Sequence, residues 1–317
     1  MRFLVTGASG FVGAAMCAEL VTRGFEVRAA ARRAVPGYAC FLHQSIDGQT
    51  PWAEALEGVE VVVHLAARVH VMQEEVADPF AEFIRVNVEG TLNLARQASR
   101  AGVKRFVYVS SVKVHGECTP LQSAFSESSP LQPQDPYGLS KLQAEQALLD
   151  LGRETGLEVV IVRPPLVYGP GVRANFAQLM KMVDRGFPLP FKGIANRRSL
   201  VFVGNLVDSL ILCATHPAAA GQTYLVDDGV PLSTSELVAC IAEGLGAPNR
   251  DFFFPLSLLR LAGWLLRRPG AVERLTQSLL LDSSKIRSQL GWAPPFDMTA
   301  GMKMTASWFK KHSHQGA

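Results

Sequence analysis

The sequence predicts an α/β fold: a doubly wound parallel sheet carrying a smaller C-terminal α/β lobe. Three observations predict it. Short β-branched runs alternate with longer helical patterns through the first half of the 317 residues. Runs such as VEVVVHL and KRFVYVS are apolar on both faces, as strands buried between two helical layers are. A glycine-rich turn, VTGASGFVG, joins the first strand to the first helix.

In chain order, the alternation places strands or helices at 2–6, 12–23, 26–31, 59–65, 80–101, 105–110, 137–154 and 158–163, a βαβ rhythm. After Arg163 the pattern changes to Pro- and Gly-rich connections (PPLVYGPG, RGFPLPFKG, GAPNRDFFFP) between helical stretches at 205–215, 234–245 and 256–266. The expected division is a dinucleotide-binding domain over 1–168, rejoined by 203–230 with its strand-like QTYLVDDG, and a substrate lobe over 169–202 and 231–317. The tail after Lys311 is expected to fray. There is no internal repeat.

Composition bounds the function. Hydrophobic residues make up 48% and charged residues 19%, ordinary values for a globular protein. The formal charge of +3 is small and its basic residues are scattered, so no nucleic-acid partner is expected. Cys17, Cys40, Cys118, Cys213 and Cys240 show no CxxC spacing, which predicts neither a metal site nor a disulfide framework. The first residues could pass for a leader, but Gly7, Gly10 and Gly13 fall where a phosphate-binding turn needs them. The apolar stretch 252–266 is interrupted by Pro255 and Arg260 and is shorter than the ~20 residues of a spanning helix. The expectation is a soluble cytoplasmic enzyme with no membrane span.

The glycine turn predicts a Rossmann-type site. Gly7 permits the tight turn, Gly10 lets backbone approach a pyrophosphate, and Gly13 lets helix pack on strand, with Ser9, Phe11 and Val12 in the same loop. The second strand lacks the acid that would hold an NAD ribose and runs instead into Arg32-Arg33. A guanidinium there suits a 2′-phosphate, favouring NADP over NAD. The GxxGxxG spacing resembles the short-chain dehydrogenase/reductase superfamily, which often carries an adenine-contacting Asp where Ser45 stands here, and Asp47 nearby is the substitute that this resemblance implies.

Tyr137-Gly-Leu-Ser-Lys141 is a YxxxK pair, with both side chains on one helical face. A lysine ammonium beside a phenol is expected to stabilise its phenolate and so make Tyr137 a proton carrier. Ser110 and Ser111 end a buried strand, where Ser111 is the choice to hold a reacting oxygen.

These motifs occur in order with HLAA (His64, Leu65, Ala66, Ala67), Asn87-Val-Glu-Gly-Thr91 and Arg163-Pro-Pro-Leu-Val-Tyr-Gly-Pro170. Together they resemble the extended short-chain dehydrogenase/reductase family, in its nucleotide-sugar epimerase and reductase branch. The resemblance covers nearly the whole chain. It implies that Leu65, Ala66, Ala67, Asn87, Ser110, Tyr137, Lys141, Pro164 and Val167 hold the cofactor, and that Ser111, His115, Asn175, Arg198 and Arg274 touch a UDP-linked sugar. It also implies a homodimer through helices 80–101 and 137–154. NRRSLVFVGNLVD resembles a family segment, with Arg198 and Asp208 at its ends, while Leu290 and Trp292 are expected in the core.

Family dehydratases carry an acid-base pair after the catalytic hydroxyl; here Val112 and Lys113 stand there, which argues against dehydration. The segments HLAARVHVM, SSVKVHGE and RRSLVFVGNLVD together resemble bacterial polysaccharide-cluster enzymes that reduce UDP-2-acetamido-2,6-dideoxy-xylo-4-hexulose at C4, which implies a 4-ketoreductase. The alternatives are a UDP-hexose or UDP-N-acetylhexosamine 4-epimerase with tightly held NAD and, in another class, a non-catalytic dinucleotide-binding regulator.

Overall fold

The computed structural model describes residues 1–69, 78–120, 123–265 and 269–313. Strands β1 (Arg2–Thr6), β2 (Glu26–Ala31), β3 (Ala39–Leu42), β4 (Val61–His64), β5 (Arg105–Val109) and β6 (Glu158–Arg163) lie parallel in the order 3-2-1-4-5-6. The chain then leaves the sheet through β7 (Leu166–Tyr168), β8 (Leu189–Lys192) and β9 (Leu200–Phe202), and returns as β10 (Thr223–Leu225) alongside β6. Outside the main sheet, β7 pairs with β9, and β8 with β11 (Asp251–Phe253).

Side-chain alternation gives each face of the sheet its own core. Phe3, Val5, Val107, Val160 and Val162 face one way and join Phe202, Leu206, Ile241 and Trp292. Leu4, Val62, Phe106, Tyr108, Val159 and Ile161 face the other, against Trp52, Leu94 and Leu148. Leu290 and Trp292 are both buried, as the sequence suggests. The elements after β6 therefore complete the first core.

Two local features were hidden in the sequence. The expected single helix 80–101 is divided into Pro79–Phe83, a π-helical segment Ile84–Glu89 and Gly90–Arg100; π segments gather at functional sites. The Pro/Gly-rich connections contain the short strands β7, β8 and β11. Met298–Ser313 is helical as far as His312 and Ser313, and residues 314–317 of the tail lie outside the described residues, as do Leu266 and 70–72. Among the described residues no helix is long and apolar enough to cross a membrane.

Candidate active site

The strand order reverses between β1 and β4, and a ligand cleft forms at such a switch point. Thr6 pairs in register with His64 there. Gly7 has φ +66°, and a Cβ on it would lie 2.9 Å from the Ala66 amide nitrogen. A Cβ on Gly13 would lie 2.1 Å from the Gly7 carbonyl oxygen. Gly10 donates to that carbonyl at 2.8 Å and begins helix Phe11–Thr22 with no side-chain cap, which leaves the positive helix end to an anion. Ser9 is exposed and Val12 half-buried. The Phe11 ring packs against Gly171, joining the glycine turn to the segment after β7.

Leu65, Ala66 and Ala67 form the facing wall, half-buried after β4. Ala66 N–H donates to Thr6 Oγ1 at 3.2 Å, and the same hydroxyl lies 2.7 Å from His64 Nδ1. His64 Nε2 is 2.9 Å from Thr91 Oγ1. Burial, with the Lys141 charge adding to it, lowers the His64 pKa to about 3. A neutral imidazole thus ties β1, β4 and helix Gly90–Arg100 together. Sequence reasoning recognised HLAA but not this bridge.

Arg32 and Arg33 are exposed directly beyond β2. Asp47, expected at the adenine, is half-buried after β3. Its oxygens accept from Ser45 Oγ at 2.6 Å, Gln49 N at 3.0 Å and Thr50 Oγ1 at 3.1 Å, with Arg85 at 3.1 Å. These bonds, led by that from Ser45, hold its pKa below the usual carboxylate range and commit it to closing its own turn.

Beyond β5, Ser110 N donates to Val162 O at 2.8 Å, while its buried Oγ has no hydrogen-bond partner among the described residues. Ser111 Oγ accepts from Lys113 N at 3.2 Å, capping the short turn Val112–Val114. Helix Pro136–Thr155 starts at Asp135, whose Oδ1 accepts from Gly138 N at 2.6 Å. A Cβ on Gly138 would stand 2.9 Å from the Lys113 carbonyl oxygen. The absent side chain therefore lets the tyrosine helix rest on the serine turn.

Lys141 is only 2% exposed. Its Nζ donates to Val109 O at 2.8 Å and lies 4.5 Å from the centre of the Tyr108 ring and 5.9 Å from that of Tyr137. Burial lowers its pKa to about 7 against the pull of Glu145. In the polypeptide alone, burial, reinforced by the Asp135 charge, raises the Tyr137 pKa above the ordinary tyrosine value. Within the polypeptide, desolvation outweighs the lysine, whose ammonium is held by the Val109 carbonyl.

Asn87 sits in the π segment with its amide committed to protein groups. Its Oδ1 accepts from Arg68 N at 2.7 Å, and its Nδ2 donates to Arg68 O at 3.0 Å and Ser140 Oγ at 2.9 Å. It links the wall after β4 to the tyrosine helix. His115, expected at the substrate, is buried and stacked on Phe125 at 5.2 Å. Arg163 Nη1 donates to its Nε2 at 3.0 Å, which leaves Nδ1–H for Pro130 O at 3.2 Å. Both nitrogens are thus engaged within the protein. Arg163 is itself paired with buried Glu145 at 2.5 Å.

Pro164 is buried and Val167 half-buried on the way to β7. Asn175 is exposed in the first turn of helix Ala174–Asp184, beside Ala174, whose φ is +54°. Arg198 Nη1 donates to the carbonyls of Arg274 and Gln277, both at 3.1 Å, which brings two candidate substrate contacts together. Asp208 accepts from Arg23 at 2.6 Å and from Trp292 Nε1 at 2.9 Å, a packing role. Among the described residues no cluster of His, Cys, Asp or Glu could hold a metal ion.

A cradle that no Cβ could share, a helix N-terminus aimed at it and the unpartnered Ser110 hydroxyl fit a dinucleotide. The fold and site define an extended short-chain dehydrogenase/reductase. The chain belongs to the NAD dependent epimerase/dehydratase family, whose model matches residues 3–226. It is 43% identical over 310 residues to a UDP-glucose 4-epimerase of Vibrio cholerae, covering 96% of this chain and 94% of that one. It is 32% identical over 335 residues to a UDP-glucose 4-epimerase of Mycolicibacterium smegmatis, covering 99% and 100%. The solved structure of MoeE5 in complex with UDP-glucose and NAD superposes with a TM-score of 0.79 at 27% identity, covering 98% and 99%. The protein is an NAD-dependent enzyme of the epimerase/dehydratase type.

Proposed function

We propose that the protein reduces a UDP-linked 4-keto-hexose at C4, as in the conversion of UDP-2-acetamido-2,6-dideoxy-xylo-4-hexulose for polysaccharide precursors. The observation that carries this reading is the serine turn. The turn that carries Ser111 packs against the first turn of the helix that carries Tyr137, where a Cβ on Gly138 would stand 2.9 Å from the Lys113 carbonyl oxygen, while the two positions where a dehydratase needs its acid and base are otherwise used. Val112 is in the core, and Lys113 is paired with Glu117 at 2.8 Å and Asp135 at 2.5 Å. A hydroxyl and a phenol without that pair support hydride chemistry alone.

The cofactor supplies the hydride. Ser111, whose oxygen already accepts from Lys113 N, keeps its hydrogen for the substrate carbonyl, and Tyr137 delivers the proton to the developing alkoxide. Its raised pKa keeps the phenol protonated at neutral pH, as a proton donor requires. Lys141 orients the ribose side of the cofactor. Gly7, Gly10 and Gly13 take the pyrophosphate, and exposed Arg32 and Arg33 take a 2′-phosphate, which favours NADPH. Asn175, Arg198 and Arg274 take the sugar diphosphate. In this reading 1–168 with 203–230 hold the dinucleotide, 169–202 and 231–317 cover the sugar, and the enzyme works in the cytoplasm as a homodimer.

A second reading, a UDP-hexose 4-epimerase, is favoured by the 43% identical Vibrio cholerae relative. One experiment separates the two. A reductase leaves UDP-N-acetylglucosamine unchanged and consumes NADPH with the 4-keto sugar; epimerisation of UDP-N-acetylglucosamine without added coenzyme would overturn the proposal. The regulator alternative predicts neither activity.

A further inference from the structure

We infer that helix Leu256–Leu265 docks the protein on an anionic bilayer surface. The large exposed apolar side chains concentrate here: Phe253 is 69% exposed, Trp264 68% and Leu265 65%, with Leu258 and Leu261 about half open. Helical spacing puts Leu258, Leu261 and Leu265 on one face, with Arg260 and Trp264 on the adjoining one. Large apolar groups gathered in the open mark an interaction surface.

Charge selects the occupant. Between Asp251 and Glu273 the sequence carries Arg260, Arg267 and Arg268 and no acidic residue, and Arg260 is exposed. A short apolar helix bearing Trp and Arg matches the headgroup boundary of a bilayer, and its cations match anionic lipids. A second copy suits the face poorly. A symmetric contact would set this stretch against itself, with no carboxylate in it to answer the arginines. Ten residues extend about 15 Å as helix, so the element lies in the plane of the surface.

The helix leads into Pro269–Thr276, where the Arg274 carbonyl receives Arg198. The inference does not depend on the direction or substrate of the proposed reaction.

The test is flotation of the full chain with vesicles of phosphatidylethanolamine and phosphatidylglycerol, beside phosphatidylcholine alone. The wild type is expected to float with the anionic vesicles, with a blue shift of tryptophan emission. Leu261→Glu/Trp264→Glu is expected to lose about tenfold or more of that binding, and Arg260→Glu to weaken it in a salt-dependent way. Both variants should keep NAD(P)H turnover, which shows that they fold. Wild-type protein that stays unbound to anionic vesicles at low salt overturns the inference. So does a dimer in sedimentation that Leu261→Glu/Trp264→Glu dissociates. Turnover absent on every sugar, with vesicle binding intact, would instead count against the proposed reaction.

Discussion

Lys113 Nζ lies 2.5 Å from Asp135 Oδ2, while the other oxygen of the same carboxylate caps the helix that carries Tyr137. The lysine at the serine turn therefore neutralises the charge that, after burial, raises the Tyr137 pKa. Lys113→Met is expected to raise that pKa further and move the alkaline limb of the kcat/KM profile for reduction to higher pH. Asp135→Asn keeps a capping side chain and should move the limb the other way. A pH profile of the two variants checks the pair of signs.

Tyr137→Phe removes the proton donor and keeps the ring packing. Turnover is expected to fall by about 10²–10⁴-fold with coenzyme affinity retained, measured by single-turnover kinetics and coenzyme fluorescence. Undiminished turnover would refute the assigned role.

His64 gives a stability signature. Its folded pKa of about 3 lies below the usual value of 6.5, so between those limits the unfolded chain binds more protons. The contribution is complete above pH 6.5 and is lost on acidification, by up to about 1.4 kcal/mol per pH unit. Denaturant unfolding of wild type and His64→Gln between pH 7 and pH 4 should show a shallower acid loss in the variant.

Arg32→Ser/Arg33→Ser is expected to lower kcat/KM for NADPH by about tenfold or more and to leave that for NADH little changed, since only the 2′-phosphate loses its charged partners. Steady-state kinetics with both coenzymes decides it. Equal effects on both would contradict the cofactor preference.

Glu145→Leu leaves the buried Arg163 guanidinium without its carboxylate. The expected cost is about 3–5 kcal/mol, read from urea unfolding, with a smaller loss for the double variant Glu145→Leu/Arg163→Met.

Features made by neighbours in sequence were the legible ones. The Gly7–Gly13 turn and the Tyr137–Lys141 spacing each fit within one turn or helix, so residue type and interval were enough. β7, β8 and β11 escaped notice because three- and four-residue strands set in Pro- and Gly-rich connections leave no periodicity to read. The Thr6–His64–Thr91 and His115–Arg163–Glu145 chains were invisible for a different reason. Their members lie on separate strands and helices, and only folding decides that His115 turns to Arg163. The spacing reports the proximity of Tyr137 to Lys141 but not the burial that raises its pKa in the polypeptide alone.

Because β10 reaches the sheet only after the excursion through β7, β8 and β9, the main sheet is assembled from two separated stretches of the polypeptide. A nascent chain that has emerged only as far as Phe202 offers β6, with buried Val159–Val162, as a bare apolar rim. Such an unfinished border is open to pairing with other chains. Late arrival of three residues, Thr223–Leu225, is what seals it, so synthesis itself passes through a stage prone to self-association.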